Sequence, residues 1–140
     1  MKLIRSLAGL ALALALGACA FILPASWRDF RVDPDDVPPA VTRAVDARQL
    51  DVADWDQAAN QITTGWSLYS LGTEQSRERY IIRWERNEGD NTLTVYVRHE
   101  AQDRVVGVEL EWSATYHEAK KELALLDAIT AELKASTTPP

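Results

Sequence analysis

The chain is poor in cysteine, with one residue in 140, Cys19, close to the N-terminus. With no second thiol there is no disulfide, and beyond residue 19 there is no cysteine nucleophile. A domain of this kind must hold itself together by packing alone. Histidine is nearly as scarce, with only His99 and His117. The six glycines fall in no G-x-x-x-x-G-K-[ST] or G-x-S-x-G spacing. That leaves out a P-loop phosphate cradle and a strained nucleophile elbow. Basic residues are the minority, 15 against 21 acids for a net charge of -6, and they are scattered. Neither nucleic acid nor an anionic lipid surface is therefore expected as a partner.

What is present begins with an export pattern. Lys2 and Arg5 make a short positive stretch, and an apolar run of signal-peptide length follows from Leu7 to Leu16. Directly after it stands Leu16-Gly17-Ala18-Cys19, an aliphatic residue, two small residues and a cysteine. This resembles the lipobox of bacterial lipoproteins. The resemblance implies a signal peptide over 1–18, diacylglycerol on the Cys19 thiol, and Cys19 as the first mature residue with its amine open to a further acyl chain. Two or three chains, at about 0.8 kcal/mol per buried methylene, anchor durably where one is marginal. The residue after the cysteine is Ala20 rather than aspartate. In a diderm organism the resemblance then implies the cell envelope at the periplasmic face of the outer membrane.

Two other readings stay open on the same residues. Ala18-Cys19-Ala20 also fits an A-x-A site, which would release a soluble protein. Ser6 to Trp27 carries no charge and is long enough to span a bilayer uncleaved, although Gly17 and Pro24 interrupt it.

Without residues 1–18 the chain keeps thirteen bases and twenty-one acids, a net charge of -8. From 19 to 39, Pro24, Pro34, Pro38 and Pro39 stand among Asp29, Asp33, Asp35 and Asp36, which reads as an extended tether. Trp27 and Phe30 would touch either the bilayer interface or the domain. One domain is expected over 40–135, with a frayed tail at 136–140. The 46% hydrophobic content and five tryptophans suit a folded body.

Within that body, alternation over 40–47 suggests a first strand. Trp55, Ala58, Ala59 and Ile62 fall at i, i+3, i+4 and i+7, which predicts a short helix over 53–62. Residues 66–71 read as a strand. Three period-2 segments follow, with Tyr80, Ile82 and Trp84, then Leu93, Val95 and Val97, then Val106, Val108, Leu110 and Trp112 on one phase. Coincident apolar faces pair Trp84 with Val95 and Ile82 with Val97 across a Gly89-Asp90 turn, and Val97 with Val108 and Val95 with Leu110 across 101–104. Ser113 or Thr115 caps a long helix to about 135, with Tyr116, Ala119, Leu123, Leu126, Thr130 and Leu133 inward. The expected fold is α+β. It is an antiparallel meander of about four strands, with a possible fifth, and a short N-terminal and a long C-terminal helix on one face. The layout resembles helix-grip modules in topology alone, with no motif to carry it.

No catalytic constellation emerges, so the expected protein is not an enzyme and needs no cofactor. His99, His117 and Glu118 would be the residues for a metal or a hydrolase, but their spacing matches no ligand pattern. The outward sheet face is the candidate site. The register sets Arg83, Tyr96 and Glu109 side by side with Arg98 nearby, and Tyr and Arg are residue types enriched at interface anchors. Ordinary cross-strand ion pairs on a solvated face would look the same. Trp55, Trp66, Trp84 and Trp112 would fill a small core or line a ligand space against the last helix. Two functions follow as expectations. One is a membrane-tethered accessory or scaffold module binding an envelope protein. The alternative is a module holding a small apolar or lipid ligand between the C-terminal helix and the sheet.

Overall fold

The computed structural model of the chain describes residues 25–137. The export segment, Cys19 and the last three residues lie outside the described residues. The fold is α+β, with six antiparallel strands rather than four or five and two helices.

The chain enters the sheet at once. Strand β1, Ser26–Phe30, lies within the stretch expected as a tether, and a 3-10 turn follows at Pro34–Asp36. Asp33 starts that turn by accepting the Asp35 N–H at 3.0 Å. Helix α1, Val37–Asp46, comes next, where residues 40–47 were expected as a strand. Val41 and Val45 look alternate only if counting begins at residue 40. With Val37, Ala40 and Ala44 they make a continuous buried helical stripe. Pro38 and Pro39 fall in the first turn, where no donor is needed, so they open this helix instead of extending a tether. The helix closes at Gln49, which takes φ 58°, while the Leu50 N–H reaches back to Val45 O at 3.2 Å.

The short helix expected over 53–62 is a hairpin, made of β2, Val52–Asp56, and β3, Gln61–Thr64. Asp56 accepts the Ala59 N–H at 3.0 Å and Asn60 adopts φ 51°, turn chemistry that outweighs the helical spacing. Strand β4, Ser67–Leu71, matches the sequence reading. Strands β5, Glu74–Arg86, and β6, Leu93–Val105, are thirteen residues each and form the sheet's spine.

Their register is the expected one, with Trp84 opposite Val95 and Ile82 opposite Val97. The turn is wider than two residues. Asn87 N–H bonds Thr92 O at 2.8 Å, with Gly89 at φ 106° and Asn91 at φ 55° between them. The sheet order is β1-β6-β5-β3-β2, and β4 also pairs with β5. Between β3 and β4 the pairing slips by one residue, and there Tyr80 N–H bonds the Thr64 hydroxyl at 2.8 Å.

The third meander strand does not form. Residues 101–104, expected as a turn, continue β6, and Val106 to Leu110 make the following loop. The edge of β6 that would have met Val108 and Leu110 is taken by β1, with Ser26 opposite Val97 and Arg28 opposite Val95. Farther along that edge, Tyr116 bridges Ala101. The extended run at 113–116 delays helix α2, which spans Ala119–Thr137. Its buried stripe is Glu122, Leu125, Leu126, Ile129 and Leu133, so Leu123 and Tyr116 face outward instead of inward.

Both helices pack on the face bearing Tyr80, Ile82, Trp84, Leu93, Val95 and Val97, in one continuous core with Val37, Val41, Leu125 and Ile129. A fully buried aliphatic side chain contributes roughly 1.5–3 kcal/mol. The other sheet face is left without a helix.

Candidate functional site

Alternation from the buried residues fixes what the uncovered face carries. Across its middle, β1, β6, β5 and β3 align Trp27, Tyr96, Arg83 and Gln61 in one row. Trp27 is 60% exposed, well above what a core tryptophan shows. Arg83 pairs with Glu85, and in the next row Arg98 stands opposite Ile81. Glu100, nearly buried, is gripped by Arg98 at 2.7 Å and by Arg79 at 2.8 Å.

Of the residues expected on this face, Arg83 and Tyr96 are neighbours as the register required. Arg98 stands opposite Ile81, as the same register requires. Glu109 leaves the face altogether, because its strand does not form, and its carboxyl accepts the Val105 N–H at 2.9 Å. Trp27 takes the place beside Tyr96 that Glu109 was expected to fill.

Toward the Val105 end, the face carries alternating guanidinium and indole groups. Arg79 and Arg77 lie over Trp66 at 4.6 and 4.5 Å, and Arg77 and Arg104 lie over Trp112, each at 4.3 Å. Gln102 accepts both the Arg77 Nε, at 2.9 Å, and Nη2, at 2.6 Å, and Gln75 accepts the Arg104 Nε at 2.9 Å. Each such cation–π contact stabilises by about 0.5–1 kcal/mol at an exposed site. Trp66 and Trp112 are therefore not core residues lining a ligand space. Trp112 fastens the chain leaving the 106–110 loop onto the sheet, helped by Ser113 N–H on Asp103 O at 2.8 Å. Trp55 is likewise half-exposed, and of the four only Trp84 is buried as expected. The missed positions carried a signal. Counting back by twos from Arg83 gives Arg79 and Arg77, and forward from Tyr96 gives Glu100, Gln102 and Arg104.

The helix-side face holds a polar cluster at the start of α2. His99 is fully buried, continuing the inward phase of Val95 and Val97. Its Nδ1 accepts the Glu118 N–H at 3.2 Å, so the ring proton sits on Nε2 and is donated to Glu78 at 3.0 Å. Glu78 also receives the Lys121 ammonium and the Tyr69 hydroxyl. Burial opposes ionisation of Glu78, but the bonds from Lys121 and His99, with the Lys121 charge, outweigh it and hold the carboxyl below its ordinary range. Burial would lower Lys121 in turn, yet the bond to Glu78 and that charge raise it. Burial, and then the Glu78 charge, push the Tyr80 and Tyr69 hydroxyls up.

Glu122, 1% exposed, ties three elements together. It accepts the Ser26 N–H at 3.1 Å, the Ser26 hydroxyl at 2.8 Å and the His99 main-chain N–H at 3.1 Å. His117 approaches the same carboxyl at 3.5 Å. The metal set considered from sequence is not assembled. His99 uses both ring nitrogens on protein groups, His117 turns to Glu122, and Glu118 contributes its main chain. Among the described residues no three His, Cys, Asp or Glu side chains converge as metal ligands. The His99 ring bonds a carboxylate and an amide rather than a hydroxyl, an arrangement that clamps β5, β6 and α2 together.

No protein-family model matches the chain, and no curated protein matches it.

Proposed function

We propose that the chain is a non-enzymatic lipoprotein of the bacterial envelope, acylated at Cys19, whose domain serves as an accessory or scaffold module for another envelope protein. The observation that carries this reading is the uncovered sheet face, where exposed Trp27 stands in one row with Tyr96 and Arg83. A large aromatic beside Tyr and Arg, ringed by charge, has the composition of an interface core. Membrane attachment falls to the lipid in this reading. Among the described residues no helix is long and apolar enough to cross a membrane. The periplasmic side of the outer membrane is the proposed location in a diderm organism, since Ala20 follows the lipidated cysteine. The ligand-binding alternative is not adopted, because Leu125, Leu126, Ile129 and Leu133 occupy the space between α2 and the sheet.

Photo-crosslinking tests the interface. A benzophenone side chain at position 27 or 96 of the full chain, in living cells, is expected to trap a discrete partner band. The same group at Ala131, on the exposed side of α2, is expected to trap none. Equal products from all three positions, or none from 27 and 96, would remove the proposal.

A further inference from the structure

Six exposed large apolar side chains gather at one end of the sheet. Leu71 is 81% exposed, Val108 80% and Leu110 96%, with Leu68, Tyr69 and Val106 also exposed nearby. They come from strand β4 and from the 106–110 loop, and the turn that follows β4 is bonded to that loop by Val106 N–H on Thr73 O at 2.8 Å. An open pocket of about 580 Å³ lies at the same end, lined among others by Tyr69, Leu71, Glu109 and Ser113. The loops are held in place by Trp112 between Arg77 and Arg104 and by Glu109 on the Val105 N–H. Contiguous exposed apolar groups on a fixed support mark a contact surface.

We infer that this tip rests in the interfacial layer of a zwitterionic bilayer, the membrane to which the proposed Cys19 lipid ties the chain. The inference rests on that anchoring reading, and two features of the fold support it. The first is direction and reach. Strand β1 runs antiparallel to β6 with Ser26 opposite Val97 and Phe30 opposite Leu93, so the start of β1 points toward the Val105 end of the sheet. From Val97 to Val105 is eight residues of strand, about 26 Å at 3.3 Å each. From Cys19 to Ser26 is seven residues, which span at most about 25 Å. A fully extended link therefore brings an anchor at Cys19 about level with the Val105 end, where it and the apolar tip meet a single bilayer surface, with the uncovered sheet face standing clear of it. The second is charge. Exposed Glu74, Glu109 and Glu111 flank the apolar groups along the chain, while the cations at this end, Arg77 and Arg104, lie over Trp112. An anionic surface would repel them, whereas zwitterionic headgroups do not. Tyr69, half-exposed with its hydroxyl bonded to Glu78, suits the boundary between lipid and water.

The test uses the full processed chain carrying a bimane probe at Leu110→Cys or, at the opposite end of the sheet, at Glu88→Cys. It is placed in phosphatidylethanolamine–phosphatidylcholine vesicles with spin-labelled acyl chains. The probe at 110 is expected to be quenched several-fold more than the probe at 88. Added salt should leave this unchanged, and anionic lipid should weaken it. With the probe moved to Leu71→Cys, the exposed changes Val108→Asp and Leu110→Asp should abolish quenching without touching the core. Equal quenching at 110 and 88 while the chain stays vesicle-bound overturns the tip contact and leaves the anchor standing. Quenching at 110 in a chain shown to lack acylation overturns the anchor and leaves the tip contact standing. Probe–probe excimers at 110 without lipid quenching would show the tip joining two copies, which also overturns the inference.

Discussion

Glu122→Ala is the most informative single change in the polar cluster. In the folded chain this carboxyl accepts three donors, two from Ser26 and one from the His99 main chain. Alanine accepts none of them. The His99 N–H is sealed from water and loses this acceptor, at a cost of about 1–3 kcal/mol. The two Ser26 donors are half-buried, so water recovers part of their loss, about 0.5–1 kcal/mol each. The sum is about 3 kcal/mol, a large share of a domain stability of roughly 5–15 kcal/mol. Urea unfolding followed by tryptophan fluorescence should show the midpoint falling by about 1.5 M with an unchanged slope. Glu122→Gln keeps one acceptor oxygen and should fall between alanine and the native chain. Combined with Ser26→Ala, the cycle should give a coupling of about 0.5–1.5 kcal/mol, which no independent pair would show. A Glu122→Ala chain as stable as the native one would refute the idea that this carboxyl holds β1 to β6 and α2.

The Glu78–Lys121 pair sets a pH window. Glu78 is held below its ordinary value of 4.5, so its contribution is complete above that pH and is lost as the pH falls through the lowered folded value. Lys121 is held above 10.5, so its contribution is complete below that pH and is lost as the pH rises through the raised folded value. Lys121→Met should therefore move the acid-unfolding midpoint to higher pH, and an unmoved midpoint would show the pair to be inert. Trp112→Ala removes two cation–π contacts and should cost about 1–2 kcal/mol. Hydrogen exchange should quicken at 106–116 while the core stays protected, and uniform exchange would contradict that role. Gln49→Gly relieves a side chain held at φ 58° and should stabilise by about 0.5 kcal/mol in thermal melts, where a loss of stability would be the contrary result.

The parts of the fold legible in the sequence were those where burial on one face enforces alternation. Tyr80, Ile82 and Trp84 against Val95 and Val97 define the spine and its register, because a slip by one residue would turn every apolar side chain to water. Legibility failed where the sheet outruns its helices. From Glu74 to Arg79 and from Ala101 to Arg104 most side chains are polar on both faces, so strand looked like turn. The 106–112 alternation was sound as a pattern, but β1 supplies a hydrophobic edge with Phe30 against the core, and competing pairings cannot be ranked from periodicity alone. Residues 37–46 misled because 37–39 read as the end of a proline-rich tether and 40–47 as an alternating strand, although Pro38 and Pro39 stand at helix-opening positions. At the candidate site Arg83 and Tyr96 were foreseen, since both lie on the spine. Trp27 was not, because its strand is defined only by the partner it meets.

The proposed envelope role depends on what becomes of Cys19, and intact-mass spectrometry of the processed protein from cells tests it most directly. The expected result is a chain that begins at residue 19 and carries the added mass of a diacylglyceryl group, with or without a further amide-linked acyl chain. A chain that begins elsewhere, or at an unmodified Cys19, would contradict it.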